Sequence, residues 1–193
     1  MDIRIVAGLG NPGREYEGTR HNVGFALLDR FAESRGRVEW RRSREAMVAE
    51  ASGVASSKVL LMKPQSFMNL SGGPIAEVVR FYKFSPRQLL VVHDDIDLAL
   101  GTVRVKVGGG DGGHNGIRSI AACLGDVEFV RLRVGVGRPG EASGRPRTEV
   151  VGWVLGRFGR EESSLLDEVL ERGVQAIDEL MSGDIASAQR KFN

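Results

Sequence analysis

IRIVAGLGNPGREYEGTRHNVGFALLDRFAESRG, residues 3–36, is the stretch that decides the fold. Its first seven residues have strand composition and run into a glycine-rich turn. From residue 22 the pattern changes: Phe25, Leu28, Phe31 and Ala32 recur at helical spacing, with Asn22 placed as N-cap and Gly36 as stop. Strand, loop and helix follow one another within one short segment.

Working outward, residues 46–51, 58–63, 88–94, 102–107 and 129–137 have strand character, and residues 73–83, 114–124 and 161–182 have helical character. This alternation predicts an α/β fold: a single-domain three-layer sandwich over residues 1–193, with a central mixed twisted sheet and helices on both faces. TVRVKV (102–107) alternates apolar and basic side chains, so one of its faces meets water and an all-parallel sheet is disfavoured. Glycine-rich residues 137–148 read as a mobile loop and residues 161–182 as the C-terminal helix.

Composition bounds the function. A chain of 193 residues with 41% hydrophobic content can build one sizeable core, and no run approaches the roughly 18 apolar residues of a membrane helix. The N-terminal apolar run is too short for a signal peptide, which makes the cytoplasm the expected location. Cys123 has no second cysteine to pair with, and its small apolar neighbours suggest a core position. A net charge of only +2 means that any nucleic-acid contact is a local patch.

GLGNPG (8–13) imitates a dinucleotide-binding fingerprint. Pro12, Gly18 and the polar run between them delay the helix that would have to face a pyrophosphate, and Glu33, the acid at the expected distance, falls inside the helical pattern. Neither glycine run continues into a Walker lysine, and no serine sits on a G-x-S-x-G elbow. VVHDDIDL (91–98) suggests a metal cluster, with the three histidines His21, His93 and His114 and the carboxylates Asp94, Asp95 and Asp97 as conceivable ligands, without any His-x-x-x-His or Cys-x-x-Cys spacing. Water activation by a histidine held by a carboxylate remains, with His21 and Asp94 as the natural pair. Spacing alone leaves open that His21 caps its helix and that HDDID is a turn.

Five blocks, YEGTRHNVGFALLD (16–29), KPQSFMNLSG (63–72), VVHDDIDLALG (91–101), GGGDGGHNGIRSI (108–120) and RLRVGVGRP (131–139), together resemble the bacterial-type peptidyl-tRNA hydrolases, in order along nearly the whole chain. The resemblance implies a monomeric α/β sandwich that hydrolyses the ester between peptide and tRNA without cofactor or metal. It implies His21 as general base and Asp94 as its orienting partner, with Asn11, Asn69 and Asn115 around the substrate's peptide and ester and Tyr16 and Met68 among the walls. Asparagine suits such a site because it offers donor and acceptor without charge. His114 is expected to be structural or supportive.

Arg104 with Lys106, and Arg131 with Arg133, share strand faces at spacing two and suit phosphate contacts, with a solvated sheet face as the alternative. Arg145, Arg147 and residues 35–44 are further basic candidates. Ala99, GWVL (152–155) and SAQRKFN (187–193) depart from the family pattern and bear on loop shape and C-terminal packing rather than on chemistry. The rival class is a binding module, since plant organelle relatives of the family act in RNA splicing; a nucleotide-binding α/β protein is the weaker third reading.

Overall fold

The computed structural model describes residues 2–36, 38–52, 58–140, 146 and 148–193. Among them, strands β1 (Ile5–Gly8), β2 (Arg41–Ser43), β3 (Ala46–Ser52), β4 (Lys58–Pro64), β5 (Leu89–Asp95), β6 (Val103–Val107) and β7 (Val130–Gly135) form one sheet in the order β2-β3-β4-β1-β5-β7-β6. The four central strands β4, β1, β5 and β7 run parallel, while β2, β3 and β6 pair antiparallel at the two sides. The sheet is therefore mixed, as the pattern of residues 102–107 favoured.

The central strands are buried on both faces, which is why IVAG and LLVV read as continuous apolar runs. Their side chains alternate between two cores. Val6, Leu90 and Val92 face the layer made by α1 (Val23–Ser34), α5 (Ser163–Met181) and α6 (Ile185–Phe192). Ile5, Ala7, Leu89 and Val91 face α2 (Gly72–Phe81) and α3 (Asn115–Leu124). A further short helix, α4 (Val150–Val154), follows β7.

The glycines of GLGNPG serve packing. A Cβ at Gly8 would meet the Gly24 carbonyl oxygen at 2.4 Å, and one at Gly24 would meet backbone atoms of Leu9 and Val92 at 2.5–2.6 Å. The first turn of α1 thus lies directly on the ends of β1 and β5, and an alanine at either position forces backbone to move. Asn22 occupies the N-cap position of α1, but its side chain makes no cap bond. Instead its amide bonds both backbone groups of Asn11, accepting from N–H and donating to C=O at 2.9 Å each, which pins the β1 loop to the helix start.

Other expectations shift in detail. Phe25 is half-buried rather than core, lying against Gly10 while Leu27 takes the buried position. Cys123 is half-buried on α3. Strand β2 and helices α4 and α6 carried no periodic signal long enough to read. The expected loop at 137–148 falls partly outside the described residues, as do Arg145 and Arg147. At the C-terminal side, the Asn193 amide accepts from the Val105 N–H at 2.8 Å and donates to its C=O at 2.9 Å. This occupies a backbone pair on the outer strand β6 that would otherwise be open to another chain. No helix among the described residues is long and apolar enough to cross a membrane.

Candidate active site

The carboxyl ends of the adjacent parallel strands β1, β4 and β5 lead into one cleft of about 570 Å³, the place where open α/β sheets hold ligands. Asn11 comes from the turn after β1, Met68 and Asn69 from the segment after β4, Asp94 from β5, His21 from the turn before α1, and Asn115 from the first position of α3; all line the cleft. Tyr16 does not. It packs edge-on against Phe67, a lining residue, with ring centroids 6.4 Å apart, so it backs the wall.

Asp94 is the hub. Its carboxylate is almost wholly buried, and its Oδ1 lies 2.9 Å from His21 Nδ1 and 2.9 Å from His114 Nε2. Burial acts to raise its pKa, but the two imidazoles outweigh this through charge and hydrogen bonding and hold the carboxyl well below the usual carboxylate range. The tautomers follow from geometry. His114 caps α3, its Nδ1 accepting from the N–H groups of Gly116 and Ile117 at 3.1 and 3.3 Å, so its proton sits on Nε2 and is donated to Asp94. His21 donates from Nδ1, which leaves its Nε2 lone pair for the cleft.

Asn11 is similarly oriented. Its Oδ1 accepts from the Met68 N–H at 2.7 Å, so its NH2 group is the part left for a ligand. The Asn115 Oδ1 accepts from Arg118 at 3.2 Å, with the same consequence. Arg118 also holds Asp111, whose pKa it lowers chiefly by hydrogen bonding, and Asp111 accepts from the Gly113 N–H. The glycine-rich loop is thereby tied to α3.

His21, Asp94 and His114 place potential ligand atoms within 4.8 Å of one another. The arrangement fits hydrogen bonding better than coordination. Both imidazole nitrogens face one carboxylate oxygen at hydrogen-bond distance, and a metal at about 2.0–2.1 Å from His114 Nε2 would have to displace the proton that its cap bonds put there. His93 stands behind this group: its Nδ1 donates to the Asp94 carbonyl at 2.7 Å and its ring meets His114 edge to face at 4.8 Å. Burial first, then the neighbouring His114, pushes its pKa well below the histidine range.

The basic strand pairs divide. Arg104 and Arg133 are register partners, as are Lys106 and Arg131, and all four lie on the face opposite the buried valines. Arg104 is exposed, Lys106 half-exposed, and Arg133 is paired with Asp95 at 2.7 Å. Arg131 corrects the sequence reading: it is buried and donates to the Gly109 and Gly110 carbonyls at 3.1 and 2.9 Å, so it holds the glycine-rich loop instead of facing solvent. None of the four lines the cleft.

Sequence reasoning missed the double occupancy of Asp94 by His114 and the wall formed by Val150, Val151, Val154 and Leu155. The His-Asn-Gly order at a helix start was the available signal for the first; a five-residue helix gave none for the second.

Fold and cleft together define an α/β sandwich protein whose site is a histidine–carboxylate pair set among asparagine amides. The chain belongs to the peptidyl-tRNA hydrolase family, whose model matches residues 5–193. It is 44% identical over 193 residues to the peptidyl-tRNA hydrolase of Nitrosomonas europaea, covering 100% of this chain and 96% of that one, and 45% identical to that of Pelobacter propionicus with the same coverage. Among solved structures it is similar to the peptidyl-tRNA hydrolase of Acinetobacter baumannii, with a TM-score of 0.90 and 34% identity over 99% of this chain and 94% of that chain.

Proposed function

We propose that this chain is a peptidyl-tRNA hydrolase that cleaves the ester between peptide and tRNA by general-base activation of water at His21, as a monomeric single domain in the cytoplasm, with neither cofactor nor metal. The observation that carries the reading is the His21 Nδ1 to Asp94 Oδ1 contact of 2.9 Å at the floor of an amide-lined cleft. Asp94 fixes the tautomer, Nε2 takes a proton from water, and Asp94 stabilises the imidazolium that forms. The NH2 groups of Asn11 and Asn115 supply uncharged donors for the oxygen that becomes negative in the tetrahedral intermediate, and Asn69 and Met68 flank the peptide. The proton then returns from His21 to the departing ribose oxygen.

The three amides and the apolar wall suit a peptide of any sequence, because they address backbone and bulk rather than one side chain. Arg104, Lys106 and Arg133 lie on strands beside the glycine-rich loop and offer the phosphate contacts of the tRNA acceptor end. Incubating the purified protein with N-acetyl-aminoacyl-tRNA, with and without EDTA, tests the reading. Release of free tRNA at equal rates in both supports it. No release overturns the activity, and release that EDTA abolishes and zinc or manganese restores overturns the metal-free route.

A further inference from the structure

Arg133 is held by its inner nitrogen. Its Nε donates to Asp95 Oδ2 at 2.7 Å, and its two terminal nitrogens make no hydrogen bond among the described residues. Arg30 on α1 shows the opposite use: one terminal nitrogen donates to Glu171 and the other to Asp167, so that its fork is filled. Asp95 has little freedom to follow Arg133. Its Oδ1 accepts from the Asp97 N–H at 2.9 Å, and its carbonyl accepts from the Val136 N–H at 3.1 Å. The turn beyond it is tied to the chain after β7 as well, by the Gly137 N–H on the Leu98 carbonyl and by an ion pair between Arg138 and Asp97.

Arg133 shares its strand face with Arg104, Lys106 and Arg131, and of these four it alone forms an ion pair among the described residues. By charge alone, a carboxylate on such a face opposes the binding of a polyanion, because it offsets part of a phosphate contact. The geometry gives this one another use. A solvent-mobile arginine loses rotamer freedom when it binds, whereas one already clamped at Nε does not, and its terminal nitrogens can grip a phosphate through two parallel N–H bonds. Asp95 also adjoins Asp94 at the end of β5 and lines the cleft. The mount of Arg133 and the partner of His21 are thus consecutive residues.

We propose that Asp95 is a positioning residue: it fixes Arg133 at Nε so that the terminal guanidinium nitrogens present a preset fork to one phosphate of the tRNA, in a register with the ester set by the end of β5. The inference rests on the tRNA-contact reading of Arg133 above. It gives an acid a favourable part in binding a polyanion, against the sign of its own charge, and this is what makes it testable.

The test measures Kd for deacylated tRNA in the wild-type protein, Asp95→Asn, Arg133→Ala, the double variant and Arg133→Lys, with denaturant unfolding to check each fold. Asparagine has one acceptor oxygen. Kept on the Asp97 N–H it holds the turn, and its NH2 group then faces the Arg133 Nε–H, donor against donor. The proposal expects Asp95→Asn to weaken binding about threefold to tenfold, although a negative charge has been removed from the face. In the Arg133→Ala background the same substitution should cost nothing, because no fork remains to be aimed. Arg133→Lys should also weaken binding, since an ammonium cannot hold the carboxylate and fork onto a phosphate at once. Unchanged or tighter binding by Asp95→Asn, with a steeper salt dependence, is the result of plain charge removal and overturns the proposal. An equal loss in both backgrounds overturns it too, because it reports a disturbed cleft rather than a misaimed arginine. Should Asp95→Asn fail to fold, Arg133→Lys decides, and wild-type affinity there overturns the proposal. A wild-type protein that binds no tRNA contradicts the proposed function, whereas tRNA binding indifferent to Arg133→Ala overturns this proposal alone.

Discussion

His21 and His114 share one oxygen: Nδ1 of the first and Nε2 of the second each lie 2.9 Å from Asp94 Oδ1, with the two rings 5.2 Å apart. Only the His21 imidazole has a ring nitrogen left over for the cleft, because the other nitrogen of His114 is engaged by the start of α3. The two histidines of the His-Asn pairs thus differ in their contacts: His21 presents one ring nitrogen to the cleft, while His114 is held at both.

His114 can be tested by separating its two contacts. His114→Ala loses both, and should cost about 1–2 kcal/mol of stability from the missing cap together with roughly tenfold in kcat from the loosened Asp94. His114→Asn restores a cap acceptor without reaching Asp94. Denaturant unfolding should show it close to wild type while kcat stays low. Equal activity in wild type and His114→Asn would show that Asp94 needs no second donor.

His93 gives a stability signature in acid. Its folded-state pKa lies well below the ordinary histidine value of about 6.5, so between those two pH values the unfolded chain binds a proton that the folded chain does not. Stability therefore rises with pH across that window and is lost as pH falls below about 6.5, with a slope contributed by this residue of up to about 1.4 kcal/mol per pH unit. Unfolding free energies measured from pH 7 to pH 5 should fall less steeply in His93→Asn. Asp94 acts lower: its depressed pKa stabilises the fold above the ordinary carboxylate range, and that contribution is lost only as pH falls below it. Parallel pH profiles for the two proteins would contradict the assignment.

The proposed tRNA contacts of the basic strand face are tested by salt. If about three to five acceptor-end phosphates are engaged, log Kd against log salt should have a slope of magnitude about 2 to 4, and Lys106→Ala should flatten it by nearly one unit. Arg104→Ala should do the same, since its side chain is exposed with no acidic partner among the described residues. Arg133 should weaken less per charge removed, because Asp95 already neutralises part of it. A salt dependence untouched by Lys106→Ala would make this strand pair ordinary solvated surface.

Much of the fold was legible because its elements carry local periodicities: the buried runs of β1 and β5, the alternation of β6, and the helical spacing of α5 each determine which faces are covered. What could not be read depends on partners distant in the chain. Asn22 looked like a helix cap, but its amide is taken by Asn11, eleven residues back, and Arg131 looked like a phosphate contact until the loop carbonyls of Gly109 and Gly110 folded over it. The site was legible through the family resemblance rather than through spacing, since His21 and Asp94 lie 73 residues apart and nothing local distinguishes a general base from a capping histidine. Helix α4 had the least signal of all: it is short, and its buried Trp153 packs on Arg20, more than a hundred residues earlier in the chain.

The central claim is that His21 activates water, and the most direct measurement is single-turnover hydrolysis of N-acetyl-aminoacyl-tRNA by His21→Ala, with tRNA affinity determined on the same preparation. The account predicts a fall in rate of about 10²- to 10⁴-fold with affinity close to wild type, because the substitution removes the proton acceptor and leaves the amides, the apolar wall and the basic strands in place. A near-normal rate in His21→Ala would contradict it.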